Sequence, residues 1–111
     1  MSLQPVPIQN VPGVPDYTCT AFLPKSSDYC LLIPVINEGS RILTELGRAQ
    51  KAGVDRLVDI VICDGGSTDG SMNPDTLELY GVNTLLVKTG PGKQGAQLRM
   101  GLHFDLAFGY K

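Results

Sequence analysis

Residues 60–70, which read IVICDGGSTDG, decide the fold. An apolar, β-branched run ends abruptly in Asp64, followed by two glycines and a group of short polar residues. This pattern predicts a buried strand that leads into a tight loop at its carboxyl end. In open α/β sheets ligands bind at this end of the strands, because backbone amides and short side chains there face a crevice.

A second strand end has the same character. Residues 31–38, LLIPVINE, pass from an apolar run through Pro34 into the polar pair Asn37 and Glu38. Two strand ends that carry Asn37, Glu38 and Asp64 predict a site for a polar, hydrogen-bonding ligand such as a nucleoside.

Size and composition exclude several classes of protein. A chain of 111 residues is at most one domain. Its net charge of −2 and the lack of any lysine or arginine run argue against a nucleic-acid partner. No signal peptide or apolar membrane span is visible in the sequence. Three cysteines without CxxC spacing favour buried thiols in a reducing compartment, so we expect a cytoplasmic protein.

The chain divides near residue 28. Five of the eight prolines precede that point, so residues 1–28 are interpreted as a proline-rich, extended arm. From residue 29 to residue 111 strand and helix signals alternate, which predicts an α/β fold with a parallel sheet and right-handed crossovers. The predicted strands are 29–33, 57–63 and 82–87, and the predicted helices are 37–52, 73–81 and 95–109.

Two of these helices carry detailed signals. Asn73 and Pro74 predict the cap and first turn of the short helix, and Gly81 predicts its end. The last helix has Leu98, Leu102 and Leu106 at intervals of four.

Three motifs in this order resemble the family 2 glycosyltransferases, in particular the dolichol-phosphate mannose synthase-like branch. Those enzymes show P-x-(Y)-N-E after the first strand, and residues 34–38 read PVINE. They show D-D-G-S-T-D-G after the second strand, and residues 64–70 read DGGSTDG. Residues 92–96, GKQGA, and 107–109, AFG, match a Gly/Lys-rich loop and a helix that ends in A-x-G. The resemblance covers about residues 29–111.

The resemblance implies a Rossmann-like parallel sheet with flanking helices, the glycosyltransferase A-type fold. It implies that residues 29–111 form the donor-binding half of an enzyme that moves a sugar from a UDP- or GDP-linked donor to an acceptor, with a polyprenyl phosphate as one candidate. Such an enzyme would contact a membrane only through a lipid-linked acceptor or through regions absent from this sequence. No catalytic residue is assigned in this chain. The residues expected to bind the nucleotide-sugar are Pro34, Val35, Asn37, Glu38, Asp64, Gly66 and Lys93.

The sequence departs from the family pattern in two places and lacks one element. Ile36 stands where an aromatic residue is usual, and Gly65 stands where a second aspartate is usual. The family's metal-binding D-x-D follows the A-x-G helix, and this sequence ends at Lys111. We therefore expect a fold that is incomplete at its C-terminus. Mg²⁺ or Mn²⁺ is expected only in a full-length enzyme, with no metal bound and no sugar transferred by this chain alone.

Other interpretations stay open. Gly90, Gly92 and Gly95 satisfy G-x-G-x-x-G before a helix, which is the context of a dinucleotide-binding turn, although Pro91 removes one amide. A catalytically dead nucleotide-binding or oligomerising module is a further alternative. Asp64 and Asp69 could simply bond loop amides, and Asn37 and Glu38 could serve only as the start of a helix.

The resemblance also predicts an exposed sheet edge. In the family the first strand lies between the second strand and the strand that carries D-x-D. Without that last strand, residues 29–33 present an unpaired apolar edge, which favours self-association over a clean monomer.

Overall fold

Strand β4, Asp59–Asp64, is completely buried within a mixed sheet that has helices on both faces. The structure is a computed structural model that describes residues 6–8, 14–90 and 94–110. The other strands are β1 (Val6–Ile8), β2 (Tyr17–Ala21), β3 (Cys30–Val35) and β5 (Thr84–Lys88). The helices are α1 (Arg41–Lys51), α2 (Val54–Leu57), α3 (Pro74–Leu79) and α4 (Gln94–Phe108). The chain is thus a small α/β domain, as the alternating pattern predicts.

The strands lie in the order β1-β2-β5-β4-β3. The three strands predicted from the sequence, β3, β4 and β5, are parallel to one another. The prediction of a purely parallel sheet is wrong, however, because β2 is antiparallel to β5 and β1 is antiparallel to β2. The sheet is mixed.

Strand β2 lies inside residues 1–28, to which the sequence-based interpretation gives no strand. Its five residues, YTCTA, are free of proline and rich in aromatic and β-branched side chains, the types that favour strands. Pro15 and Pro24 lie outside its ends, so neither removes a donor from its ladder with β5. A division of the chain near residue 28 therefore cuts through the sheet.

Two apolar layers enclose β4. Ile60 and Ile62 point to one face, where Ile42 and Leu46 of α1 and Leu77 of α3 cover them. The alternate residues of β4 point to the other face, where α4 packs; that layer contains Val61, Cys63, Leu86, Met100, Phe104 and Tyr110. Burial on both faces explains why β4 is apolar without alternation.

Helix α4 does not bury its regularly spaced leucines. Leu98, Leu102 and Leu106 are exposed, while Ala96, Met100 and Phe104 are buried. Gly101 sets this orientation, since a Cβ there would lie 2.8 Å from the Cys63 sulfur. The spacing of leucines identified one surface of the helix, but only close packing at Gly101 decides which surface meets the sheet.

The short helix α3 confirms its predicted signals. The Asn73 side chain accepts hydrogen bonds from the backbone N–H groups of Asp75 and Thr76, and Pro74 is the first helical residue. Gly81 follows the helix with a positive φ of 83°. No helix of the described part of the chain is long and apolar enough to cross a membrane.

Asp59 joins the amino end of β4 to two distant segments. Its carboxylate accepts hydrogen bonds from the Ser26 hydroxyl at 2.7 Å, the Ser26 N–H at 3.0 Å and the Tyr110 hydroxyl at 2.7 Å. Burial alone would raise the pKa of Asp59, but these bonds outweigh burial and hold the pKa below its usual 3.8. The ionised carboxylate therefore stabilises the fold.

We predict that Asp59→Asn destabilises the protein by about 1–3 kcal/mol at neutral pH, the scale of lost hydrogen bonds to a charged group. Because the folded pKa is lowered, this contribution is present above pH 3.8 and is lost as the pH falls through the folded pKa. Urea unfolding at several pH values should show the parent and the variant converging in acid.

Asp75→Asn, at an exposed acid, is the matched control and should give a small difference. Burial raises the pKa of Asp105, so the contribution of that carboxyl to the free energy of unfolding falls as the pH rises. This contribution is the same in the parent and in Asp59→Asn, and it cancels in their difference. A difference between parent and Asp59→Asn that stays constant down to strong acid would contradict the role given to the ionised carboxylate.

Candidate functional site

The carboxyl ends of β3 and β4 meet at one edge of the sheet, because the two strands are parallel and Val35 lies beside Asp64 in register. The loop at residues 36–40 follows β3, and the loop at residues 65–73 follows β4. Six of the seven predicted site residues are in these two strand ends and loops.

Asp64 is almost completely buried, with 2% of its surface exposed. Its Oδ1 atom accepts hydrogen bonds from the Ser67 hydroxyl at 2.6 Å, the Ser67 N–H at 3.0 Å and the Gly66 N–H at 3.2 Å. Its Oδ2 atom has no hydrogen-bond partner among the described residues. The Oδ1 atom therefore bonds loop amides, as one interpretation of the sequence expects. The Oδ2 atom is left to accept a hydrogen bond from a ligand.

Three hydrogen bonds tie the two loops together. The Asn37 N–H donates to the Ser67 hydroxyl at 2.9 Å, and the Thr68 N–H donates to Asn37 Oδ1 at 2.8 Å. The Gly39 N–H donates to Asp69 Oδ2 at 3.1 Å. Asn37 holds a positive φ of 47°, a conformation that asparagine tolerates better than most residues. The Asn37 amide oxygen thus holds the loops in place.

Asp69 has a structural role within its own loop. Its Oδ1 atom accepts hydrogen bonds from the Ser71 hydroxyl at 2.6 Å and from the Ser71 N–H at 2.9 Å. These bonds hold the pKa of Asp69 below its usual range. This is the Asx-turn arrangement that the sequence suggested as one interpretation.

Gln97 of α4 is a site residue that the sequence analysis missed. It is 4% exposed, and its side-chain amide donates to the carbonyls of Val35 at 2.8 Å and Cys63 at 3.0 Å. Both carbonyls are at the carboxyl ends of the parallel strands. The sequence does contain one signal for this role, because Gln97 lies on the same helix face as Met100 and Gly101.

Gly65 and Gln97 fit each other closely. A Cβ at Gly65 would lie 3.0 Å from the Cδ and Nε2 atoms of Gln97. The second aspartate of the family pattern would occupy the same space as this amide. The departure at Gly65 is therefore matched by a specific neighbour in the fold.

Pro34 and Glu38 belong to a different part of this surface. Both line a groove of about 380 Å³ between β3 and α1. The Glu38 Oε2 atom lies 3.5 Å from the Arg41 Nε atom, and both residues line the groove. None of residues 64–70 lines that groove.

The glycine-rich segment after β5 is only partly described. Lys93 and Gly92 lie outside the described residues. Gly90 donates its N–H to the Asp16 carbonyl at 3.0 Å, and a Cβ at Gly90 would lie 2.8 Å from the Asp16 nitrogen. Gly90 is therefore needed for close packing against the residue before β2, which gives a structural reason for the first glycine of G-x-G-x-x-G.

No three His, Cys, Asp or Glu side chains of the described residues are grouped so that they could hold a metal ion. The three cysteines are free thiols. Burial raises the pKa of Cys63 to about 12 and that of Cys19 to about 11, so these thiols stay protonated and unreactive at neutral pH.

Comparisons with family models, curated proteins and solved structures give no match to this chain. The family resemblance therefore depends on the motifs and their order alone.

We predict that Gly65→Ala destabilises the parent by about 1–3 kcal/mol, because the new methyl group displaces the Gln97 amide from its two carbonyls. In a Gln97→Ala background the same change should cost much less, since the obstructing amide is gone. Urea unfolding of the four proteins measures this coupling.

Gly47→Ala is the control for adding a methyl group at a glycine. A Cβ there would have its nearest neighbour at 3.7 Å, an ordinary contact, and Gly47 lies within α1. Equal costs for Gly65→Ala with and without the Gln97 amide would show that the two residues do not interact as described.

Proposed function

We propose that the loops after β3 and β4 bind the nucleotide end of a nucleotide-sugar, and that the chain acts in glycosyl transfer. The observation that carries the proposal is Asp64, a buried carboxylate with one oxygen bonded to its own loop and the other unpaired among the described residues. The sequence motifs on both loops support the same proposal.

The chemistry of Asp64 suits a nucleobase. Uracil and guanine present ring N–H donors, and a carboxylate oxygen accepts such donors in short, charge-assisted hydrogen bonds. The three donors on Oδ1 fix the plane of the carboxylate before a ligand arrives. A fixed acceptor loses little conformational freedom on binding, which favours affinity.

The cross-linked loops provide the rest of the binding surface. The bonds from Asn37 and Asp69 hold the two loops at a set spacing. Val35, Gly66 and Lys93 remain proposed contacts through the backbone or, for Lys93, with the donor diphosphate. Glu38 is proposed as a ribose contact only for a donor that extends over Pro34 toward the groove between β3 and α1.

Transfer of the sugar needs more than these residues. The departing diphosphate gains negative charge, which a divalent cation or basic side chains would offset. Among the described residues no three His, Cys, Asp or Glu side chains are grouped so that they could hold that cation. The proposal for this chain is therefore donor binding, with Mg²⁺ or Mn²⁺ proposed only for an enzyme that supplies the missing ligands. A cytoplasmic location also remains a proposal.

We predict that Asp64→Asn weakens UDP or GDP binding by roughly 1–3 kcal/mol, because an amide nitrogen at the outer position cannot accept the ring N–H. Asparagine keeps an oxygen for the loop donors, so the fold should survive. Calorimetric titration of both nucleotides, with NAD as the comparison ligand, gives the affinities.

Asp69→Asn is the matched control, because Asp69 also holds a loop but has both oxygens engaged. It should change affinity far less than Asp64→Asn. Equal nucleotide affinity for the parent and Asp64→Asn would remove Asp64 from the site, and tighter binding of NAD would favour the dinucleotide alternative.

A further inference from the structure

Lys88 is a basic side chain at the same edge of the sheet as Asp64. It is the last residue of β5, and the residue before it, Val87, lies beside Asp64 in the parallel ladder. Neighbouring strands are about 4.8 Å apart and successive residues rise by about 3.3 Å, so the Cα atoms of Asp64 and Lys88 are roughly 6 Å apart. The carboxylate and the ammonium group are thus carried by adjacent strand ends.

The ammonium group of Lys88 is fixed in place but only partly used. Lys88 is half-buried, and its Nζ atom donates a hydrogen bond to the Gly90 carbonyl at 2.8 Å. Gly90 is itself held, because its N–H donates to the Asp16 carbonyl at 3.0 Å. An ammonium group has three N–H donors, so two remain for another acceptor.

No acidic side chain pairs with this ammonium group in the described part of the chain, where none of the ion pairs includes Lys88. Asp16 approaches β5 through its backbone carbonyl, and its exposed carboxylate makes no ion pair with Lys88. Aspartate and glutamate are absent from the sequence outside the described residues, which is 1–5, 9–13, 91–93 and 111. A partly buried charge without a partner in the protein favours the binding of an anion.

The opposite side of Asp64 is less suited to an anion. Strand β4 lies between β3 and β5. On the β3 side, the basic side chain of Arg41 already lies 3.5 Å from the Glu38 carboxylate. Asp69 adds a further negative charge there, because it bonds the Gly39 N–H in the loop after β3. An anion next to Asp64 is therefore favoured on the β5 side, at Lys88.

Glycines connect the carboxylate to the end of β5. Gly65 follows Asp64 and is level with Lys88, because Asp64 lies beside Val87. A Cβ at Gly66 would lie 3.7 Å from the Lys88 carbonyl oxygen, so this loop residue is in contact with the end of β5. Residues 65 and 66 place no side chain between Asp64 and Lys88. A ligand bound at Asp64 can therefore extend to Lys88 along the backbone of this loop.

The first turn of α4 is at the same edge. Gln97 in that helix bonds the carbonyls of Val35 and Cys63, which lie at the carboxyl ends of β3 and β4. The helix begins at Gln94 and has no acidic residue in its first turn. The amino end of a helix carries a partial positive charge, which adds to that of Lys88.

We propose that Lys88 binds the diphosphate of the nucleotide whose base is held by Asp64. This inference rests on the proposed function, since it takes the base to be at Asp64. It adds a contact residue from β5 that the sequence analysis did not identify. Lysine binds phosphate as a point charge, and partial burial strengthens that attraction relative to a fully exposed lysine.

The variant Lys88→Gln removes the charge but keeps an N–H donor for the Gly90 carbonyl. It should raise the dissociation constants for UDP and GDP by roughly tenfold or more, because charge-assisted hydrogen bonds to the diphosphate are lost. The dissociation constants for uridine and guanosine, which lack the diphosphate, should stay nearly the same. Calorimetric titration of parent and variant with all four ligands makes the comparison.

Lys51→Gln is the matched control. It makes the same change of charge at an exposed lysine, the last residue of α1, whose first residue is at the carboxyl edge of the sheet. It should leave the affinity for UDP and GDP unchanged. Added salt should weaken UDP and GDP binding more in the parent than in Lys88→Gln, because salt screens the attraction between the ammonium group and the diphosphate. A role of Lys88 in loop structure alone would not change this salt dependence.

Inorganic pyrophosphate separates this inference from the proposed function, because it has no base. It should shift the amide resonances of residues 88–90 in the parent, and Lys88→Gln should remove those shifts. Pyrophosphate binding at Lys88, with no effect of uridine or guanosine near Asp64, would support the diphosphate site and contradict the base site.

Three results would overturn the role of Lys88. The first is equal affinity of the parent and Lys88→Gln for UDP and GDP. The second is an equal loss of affinity for nucleosides and nucleotides, which would indicate a damaged loop. The third is a parent that binds none of pyrophosphate, UDP and GDP.

Discussion

Complete burial of β4 is the constraint on which the rest of the structure depends. Every residue from Asp59 to Asp64 is buried, and the apolar side chains between the two aspartates pack alternately against α1 and α3 or against α4. A strand buried on both faces must satisfy its polar ends within the protein. Asp59 does so through Ser26 and Tyr110, whereas Asp64 does so only at its Oδ1 atom, which accepts hydrogen bonds from its own loop. The structural aspartate and the candidate binding aspartate are thus the two ends of one strand.

The site depends on β4 through backbone carbonyls as well as through Asp64. Gln97 ties the carboxyl ends of β3 and β4 to α4, and the loop bonds from Asn37 and Asp69 tie the two following loops together. These hydrogen bonds link the two loops and α4 at the carboxyl edge of the sheet. Acceptors positioned by such bonds at a strand end favour recognition of a polar ligand.

The sequence predicted the parallel strands and the cap of α3 because each has a strong local signal, whereas the edge position of β3 was expected only from the family resemblance. Apolar β-branched runs mark β3 and β4, and Asn73 with Pro74 marks a helix start. It missed β2 because the prolines around Tyr17–Ala21 dominate the composition of that region. Pairing with β5 joins residues far apart in sequence, and no local pattern encodes it.

Within the site, sequence reasoning placed Asp64 and Asn37 correctly at neighbouring strand ends. It could not predict which groups their side chains bond. Whether a carboxylate holds its loop or binds a ligand depends on atoms contributed by Gly66 and Ser67 in three dimensions. Gln97 was missed for a similar reason, since a polar residue in a helix is usually exposed. Only the close approach of α4 at Gly101 turns Gln97 toward the strand ends.

The most direct test of nucleotide binding at the carboxyl end of β4 is a nuclear magnetic resonance titration of the isotopically labelled protein with UDP and GDP. Chemical-shift changes should concentrate in the backbone amides of residues 35–38 and 64–68 and in the Gln97 side-chain amide. These groups surround the carboxyl ends of β3 and β4. Shifts confined to other surfaces, or none at saturating nucleotide, would contradict a nucleotide site at the end of β4.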